Sequence, residues 1–203
     1  LINHLVGGKV SIVSPKVQTT RTLVRGIAMH NNAQIILVDT PGIFEPEKKL
    51  ERAMVAAAWA GESEADLVML VVDSARSGKA TDSIIRKMKD SDRKKPAILV
   101  LNKTDTIKPP QLLALTQHFN EMYPFEATFM ISALKGRGTE DVLNYLSKNI
   151  PEGAFHYPED QMSDMPSRLL AAEITREKLF HALYQELPHA LTVETETWEA
   201  FDD

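Results

Sequence analysis

Two apolar runs of strand length set the first constraint on the fold. Residues 65–73, "ADLVMLVVD", and 96–105, "PAILVLNKTD", carry almost unbroken aliphatic side chains, and each ends in polar residues. Continuous rather than alternating apolar strands suit a parallel sheet buried on both faces. Parallel neighbours need long crossovers, usually helices. Helix-compatible stretches stand where the crossovers are needed, at 80–89, 111–122 and 139–150, and "ATFMIS" (127–132) supplies a further strand. Ahead of them, "TLVRGIAM" (22–29) and "AQIILVD" (33–39) are predicted strands joined by a turn at 30–32. Residues 50–62 are Ala-rich and helix-compatible. The pattern predicts an α/β fold with a doubly wound, mostly parallel sheet over residues 1–150. In such sheets ligands bind beyond the carboxyl ends of the strands.

The composition changes at 151–166, where three prolines and four acids gather. We expect a linker over 151–162. A second small unit starts near 163 with a long helix over 167–186. Its apolar side would be Leu169, Leu170, Ile174, Leu179, Leu183 and Leu187. "LTVETETW" (191–198) then alternates as a strand. At the other end, "LINHLV" suits the later part of an amphipathic helix, with Leu1, Leu5 and Val6 on one side. Both ends look cut, which suggests a piece of a longer polypeptide.

Three polar clusters fall at the carboxyl ends of predicted strands: Asp39-Thr40-Pro41-Gly42, Asn102-Lys103-Thr104-Asp105 and Ser132-Ala133. Any one alone is an ordinary turn or cap. Their coincidence points to a guanine nucleotide with magnesium. Asp105 would accept from the ring N–H and the exocyclic amino group of guanine, a donor pair that adenine lacks. Asn102 would tie its loop to its neighbours, and the Lys103 stem would lie along the base. The Ser132-Ala133 backbone would offer N–H groups to the guanine carbonyl. Asp39 would hold magnesium, which prefers hard oxygen ligands and keeps much of its water. Gly42 would let a backbone N–H approach a terminal phosphate. A hydroxyl at Thr19 or Thr20, with Thr20 preferred, would complete the magnesium shell when a third phosphate is present, closing a switch loop.

The net charge of −5 excludes a chain that binds nucleic acid by bulk charge alone. The basic group Lys87, Lys89, Arg93, Lys94 and Lys95 suits a solvated helix end. There is no cysteine, so neither a disulfide framework nor a thiolate metal site is available. His4, His30, His118, His156, His181 and His189 show no metal-binding spacing. Met54 and Trp59 suit helix packing. No apolar run reaches the roughly 18 residues that span a bilayer.

"KVQTTR" (16–21), "DTPGIF" (39–44), "NKTD" (102–105) and "SALKGRG" (132–138) stand in an order and spacing that resemble the Era-like family of translation-factor-related GTPases. The stretch 156–194 resembles that family's linker and the opening helix of its KH RNA-binding domain. The resemblance implies a P-loop GTPase domain over 1–150 and the start of an α+β KH domain over 163–203. It places the phosphate loop G-x-x-x-x-G-K-[ST] and the first strand before Leu1, and this motif occurs nowhere in the chain. It implies GTP and GDP with magnesium, bound through Asp39, Thr40, Pro41, Gly42, Ile43, Asn102, Lys103, Thr104, Asp105, Ser132 and Ala133. Thr20 and Asp39 would hold the metal, and Thr20 and Gly42 would act in catalysis. Ras-type GTPases place a glutamine after the glycine to orient the attacking water. Here that residue is Ile43, so hydrolysis should be slow. It could also draw on the upstream loop, on a monovalent cation such as potassium, or on a partner. The partner implied is the small ribosomal subunit with the 3′ end of its RNA, in 30S assembly. The implied protein is a cytoplasmic monomer, with peripheral association at the inner face of the membrane as an option. A scaffold that barely hydrolyses GTP, and a related GTPase acting on tRNA modification or the large subunit, are the rival readings.

Overall fold

The computed structural model describes residues 1–14, 19–43, 52–56, 58, 65–91, 95–183 and 191–199. Strand β4 (Ala97–Asn102) is the centre of the molecule, and Ile98, Leu99, Val100 and Leu101 have no exposed surface. It pairs in parallel with β3 (Val68–Asp73) on one side and β5 (Ala127–Met130) on the other. Period-2 alternation sends its side chains into two cores. Ile98 and Val100 pack with Ile131, Val142 and Leu146, while Leu99 and Leu101 pack with Val72, Ile85 and Phe119. Ile85 belongs to α2 (Lys79–Asp90), Phe119 to α3 (Pro109–Met122), and Val142 and Leu146 to α4 (Thr139–Asn149). Helices therefore cover both faces of the parallel sheet. α3 starts where Pro109 and Pro110 occupy its first turn, and Gln111 Oε1 accepts the Lys108 N–H at 3.2 Å.

The predicted hairpin is present as β1 (Val24–His30) and β2 (Ala33–Asp39), antiparallel with Val24 opposite Asp39. A doubly wound, mostly parallel sheet lacking its first strand was expected, and the described strands form two sheets. No described strand joins β2 to β3, so the hairpin meets the parallel sheet through side chains. Ala28 and Ile35 enter the same core as Ile98 and Val100. Helix α1 (Ile2–Val6) lies on that core through Leu1 and Val6, and Gly7 closes it in the left-handed conformation, φ 81°. Of the predicted helix at 50–62, residues 52–56 and 58 are helical, and Met54 and Ala58 are buried. The rest of that stretch, Trp59 included, lies outside the described residues.

The Pro-rich stretch over 151–162 has neither helix nor strand, but it is fastened along the hairpin. Gln34 Oε1 accepts from the His156 and Tyr157 N–H groups, and Gln34 Nε2 donates to the Tyr157 carbonyl. Farther on, the Ile27 N–H donates to the Met162 carbonyl, and Ser163 Oγ to the Arg25 carbonyl.

Helix α5 (Ser167–Ala182) corrects the predicted face. Its buried residues are Arg176, Glu177 and Phe180, whereas Leu169 is 45% exposed. Leu170, Ile174, Leu179 and Leu183 are half-buried, and the deepest positions beside Phe180 go to Arg176 and Glu177, which serve backbone groups of Thr19 and Val13 that need polar partners. Leu187 and His189 lie outside the described residues. Residues 191–198 do not form the predicted strand. Without a partner strand among the described residues, the ladder that would stabilise it is absent.

Burial works to raise the Glu177 carboxyl, but hydrogen bonds from Lys9 and the Val13 N–H, with the charges of Lys9 and Lys178, hold it below its ordinary 4.5. A depressed carboxyl contributes stability above the unfolded value and loses it as pH falls through the folded one. Hydrogen exchange of α5, corrected for intrinsic rates, should therefore be steady down to 4.5 and rise below it. Glu177→Gln should flatten that profile. At Gly138, φ is +73° and an added Cβ would lie 2.8 Å from the Met130 carbonyl oxygen. Gly138→Ala should cost about 2 kcal/mol in urea unfolding.

Candidate functional site

β2 delivers Asp39 to its carboxyl end. One carboxylate oxygen accepts from Ser11 Oγ at 3.0 Å and from Thr20 Oγ1 at 3.4 Å. Burial pushes the Asp39 carboxyl above its ordinary range, and the Ser11 and Thr20 hydroxyls work against that rise. The donor set fits magnesium: one carboxylate and two hydroxyls are hard oxygens, and a cation would relieve the cost of the buried charge. Among the described residues no three His, Cys, Asp or Glu side chains gather into an all-protein cage. Magnesium does not need one, because one or two carboxylates plus phosphates suffice.

Behind Asp39, Thr40 and Ile43 are half-buried and Pro41 is fully buried. Gly42 is exposed, and a Cβ there would meet nothing within 4 Å. The fold itself makes no demand for glycine at this position. Phe44 and residues 15–18 lie outside the described residues.

The second cluster forms where β4 and β5 end. Asn102 is its junction. Its side-chain oxygen accepts from the Lys103 N–H at 2.8 Å and the Ala133 N–H at 3.0 Å. Its carbonyl accepts from both the N–H and the hydroxyl of Ser74, just past β3. Lys103 sits in the left-handed region at φ 63°, a conformation that costs a non-glycine residue on the order of 1 kcal/mol. Its ammonium pairs with Asp73 at 2.8 Å. Thr104 fixes the next turn, donating from both N–H and hydroxyl to the Ile131 carbonyl. Asp105 Oδ1 accepts from Ser132 Oγ at 2.6 Å, and Lys135 Nζ lies 4.0 Å from Oδ2. The Ser132 bond, with the charges of Lys135 and Arg137, holds the Asp105 carboxyl below its ordinary range against a smaller opposing desolvation. Asp105 is thus ionised at neutral pH, an acceptor on both oxygens.

The structure brings Asn102 to Asp105 together with Ser132 and Ala133, and Asp39 together with Thr20. It differs at the two N–H groups assigned to a guanine carbonyl. Ser132 N–H donates to Arg137 and Ala133 N–H to Asn102, because buried backbone donors need partners. Thr104 and Pro41 act inside the fold, one by hydrogen bonding and one by packing. Sequence reasoning missed Ser11, Asn3 and Asp73. Asn3 Oδ1 accepts from the Val10 and Ser11 N–H groups, and its amide donates to the Ser11 carbonyl at 2.7 Å. No motif marks these residues. Asp73 alone carried a signal, as the acid ending an apolar strand beside "NKTD".

A family model described as 50S ribosome-binding GTPase matches residues 1–103. A protein of Sinorhizobium medicae named GTPase Era is 59% identical over all of this chain, and its Rhizobium meliloti counterpart is 56% identical. The chain belongs to the Era family of GTPases. It spans 65% of the length of the Sinorhizobium Era and 64% of the Rhizobium one. A crystal structure of Era with MgGDPNP and a fragment of 16S ribosomal RNA superposes with a TM-score of 0.86 at 40% identity, over 93% of this chain and 64% of that one. An Aquifex aeolicus Era variant bound to GDP and aluminium fluoride gives 0.84 at 39% identity, over 92% and 64%. Both Era structures share this chain's α/β fold with its parallel sheet.

Asn3→Ala would strand the Val10 and Ser11 N–H groups, which lie on residues only 3% and 7% exposed. Loss of about 2 kcal/mol in chemical unfolding is expected, while Asn3→Asp, which keeps the acceptor, should lose less.

Proposed function

We propose that this protein is a GTP-binding, GTP-hydrolysing switch that engages small-subunit ribosomal RNA during 30S assembly. The observation that carries the guanine reading is Asp105, held ionised by Ser132 and aimed from a loop that Asn102 fixes at three points. Guanine offers the two donors such a carboxylate needs. Losing a polar partner at a site of this kind discriminates by about 10⁴-fold in favourable cases.

Asp39 and Thr20 would hold magnesium, with Ser11 steadying the carboxylate. The bound ion supplies charge neutralisation on the phosphates. Gly42 would admit a backbone N–H to the terminal phosphate, and the open space around it supports that role. The phosphate cradle would come from residues before Leu1, as would a first strand of the sheet between β2 and β3. Ile43 cannot hydrogen-bond water, so intrinsic turnover would be slow, with the upstream loop, potassium or a partner supplying the missing group.

For the partner, the support is the Era structure that holds 16S ribosomal RNA, a small-subunit molecule. The family model's description names the 50S particle instead, but it matches residues 1–103, whereas the Era likeness covers the whole chain. Residues 163–203 would begin a KH domain, after a GTPase domain over 1–150 and a linker over 151–162. The protein would work as a cytoplasmic monomer, with peripheral contact at the inner membrane face. No helix of the described residues is long and apolar enough to cross a membrane. A second reading, a GTP-dependent scaffold with negligible hydrolysis, is favoured by Ile43.

Single-turnover phosphate release by the full-length protein, with and without potassium, separates the two. Release no faster than the magnesium-only background would leave the scaffold. Asp105→Asn should erode GTP-over-ATP preference in equilibrium binding, and an unchanged preference refutes the guanine role. Asp39→Ala should weaken magnesium-linked nucleotide binding, whereas wild-type hydrolysis in that variant would count against the metal role.

A further inference from the structure

Helix α5 grips the segment that carries the proposed magnesium site from both ends. Glu177 Oε1 accepts the Val13 N–H at 2.8 Å, and its other oxygen pairs with Lys9. The preceding residue, Arg176, donates from Nη2 to the Thr19 carbonyl at 2.9 Å. Val13 lies two residues from Ser11, and Thr19 adjoins Thr20. Those two hydroxyls meet on Asp39. One turn of α5 therefore holds the backbone on the way into the site and on the way out.

The grip is built from buried charge. Arg176 is 3% exposed and Glu177 5%. The guanidinium lies 5.0 Å from the centre of the Phe180 ring and pairs with Glu173. Its Nη1 is buried without a hydrogen-bond partner among the described residues. Buried ion pairs are seldom more stabilising than apolar packing of the same volume, and an unpaired buried donor costs more. Apolar packing of the same volume would serve stability at least as well, yet the deepest positions of α5 beside Phe180 go to Arg176 and Glu177, while Leu170, Ile174 and Leu179 are only half-buried. The polar face does something leucines cannot. It recognises one N–H and one carbonyl, and so registers the path of the backbone.

We propose that Arg176 and Glu177 are positioning residues for the magnesium and terminal-phosphate site, setting the backbone from which Ser11 and Thr20 reach Asp39. This rests on the GTP-switch reading. Coupling between sites is reciprocal. If α5 fixes Thr20 where the triphosphate state needs it, that state tightens α5 in return. The helix would then carry the nucleotide state toward residues beyond it.

The test uses the full-length protein with magnesium, comparing affinities for GDP and a non-hydrolysable GTP analogue. Arg176→Met should weaken the triphosphate about fivefold or more, the low end of typical coupling. GDP should be little affected, because Thr20 is engaged only with a third phosphate. Arg176→Lys, which keeps one donor, should recover part of the loss, and Glu177→Met, which removes the acceptor of the Val13 N–H, should show the same selectivity. Hydrogen exchange over 9–14 and 19–22 in nucleotide-free Arg176→Met should rise. A merely structural role would weaken both nucleotides alike, and that result, or unchanged affinities, overturns the proposal. A wild-type protein that binds no triphosphate would sink the switch reading itself, a different outcome from a wild type that binds beside variants that do not discriminate.

Discussion

The structure depends on a single strand buried on both sides. Ile98, Leu99, Val100 and Leu101 are removed from water completely, and their alternation feeds one core under α4 and another under α2 and α3. Each such side chain contributes about 1.5–3 kcal/mol relative to exposure, and none can be re-registered without turning its neighbours to the wrong face. That rigidity is inherited by Asn102, the residue at which burial ends. Its main chain is tied to Ser74 beyond β3 and its side chain to Ala133 beyond β5. Three parallel strands thus converge on one amide. The strained Lys103 is tolerable only because Asn102 accepts its N–H and Asp73 pairs with its ammonium.

The Asp39 cluster has a different foundation. Among the described strands the hairpin does not pair with the parallel sheet, and it is held by shared apolar contacts and by His30 on Asn144 of α4. The position of Asp39 therefore depends more on polar fasteners: Asn3 on the Val10–Ser11 backbone, Ser11 and Thr20 on the carboxylate, and α5 on Val13 and Thr19. Hydrogen bonds of this kind are individually worth about 1 kcal/mol, far less than a strand core. Under the proposed switch, a site that changes with a third phosphate is better served by such fasteners than by packed side chains, since each can be remade at low cost.

The sequence made the parallel strands legible because burial on both faces leaves no room for polar residues, a signal that survives without any alignment. It also exposed the clusters at Asp39 and at Asn102 to Asp105, since an acid at the end of an apolar run is conspicuous. The docking face of α5 was hidden for a physical reason. Helical periodicity ranks faces by hydrophobicity, and here the fully buried residues are Arg176 and Glu177 with one phenylalanine. The attachment of the expected linker was equally hidden, because it comes from Gln34 and from backbone groups of β1 rather than from the linker's own composition. The strand expected at 191–198 has the right alternation, but a strand exists only with a partner. Asn3 acts on the Val10–Ser11 backbone and the Ser11 hydroxyl on the distant Asp39, separations at which no spacing rule operates.

Gly42 and Ile43 can be weighed together on this basis. A glycine kept by the fold shows a positive φ or a neighbour where Cβ would sit, as Gly138 does. Gly42 has open space there instead. If the residue matters, the demand comes from something that approaches the backbone from outside, and a phosphate oxygen is the ligand that Asp39 and its hydroxyls would accompany. Ile43 follows from the same geometry. The fully buried Pro41 anchors the loop, and the half-buried Ile43 offers it only an alkyl side chain. An anchored loop can present the Gly42 N–H reproducibly, but it has no polar group left to orient water. Under the proposed switch, the loop behind Asp39 would position the phosphate, and the group that activates the water must lie elsewhere.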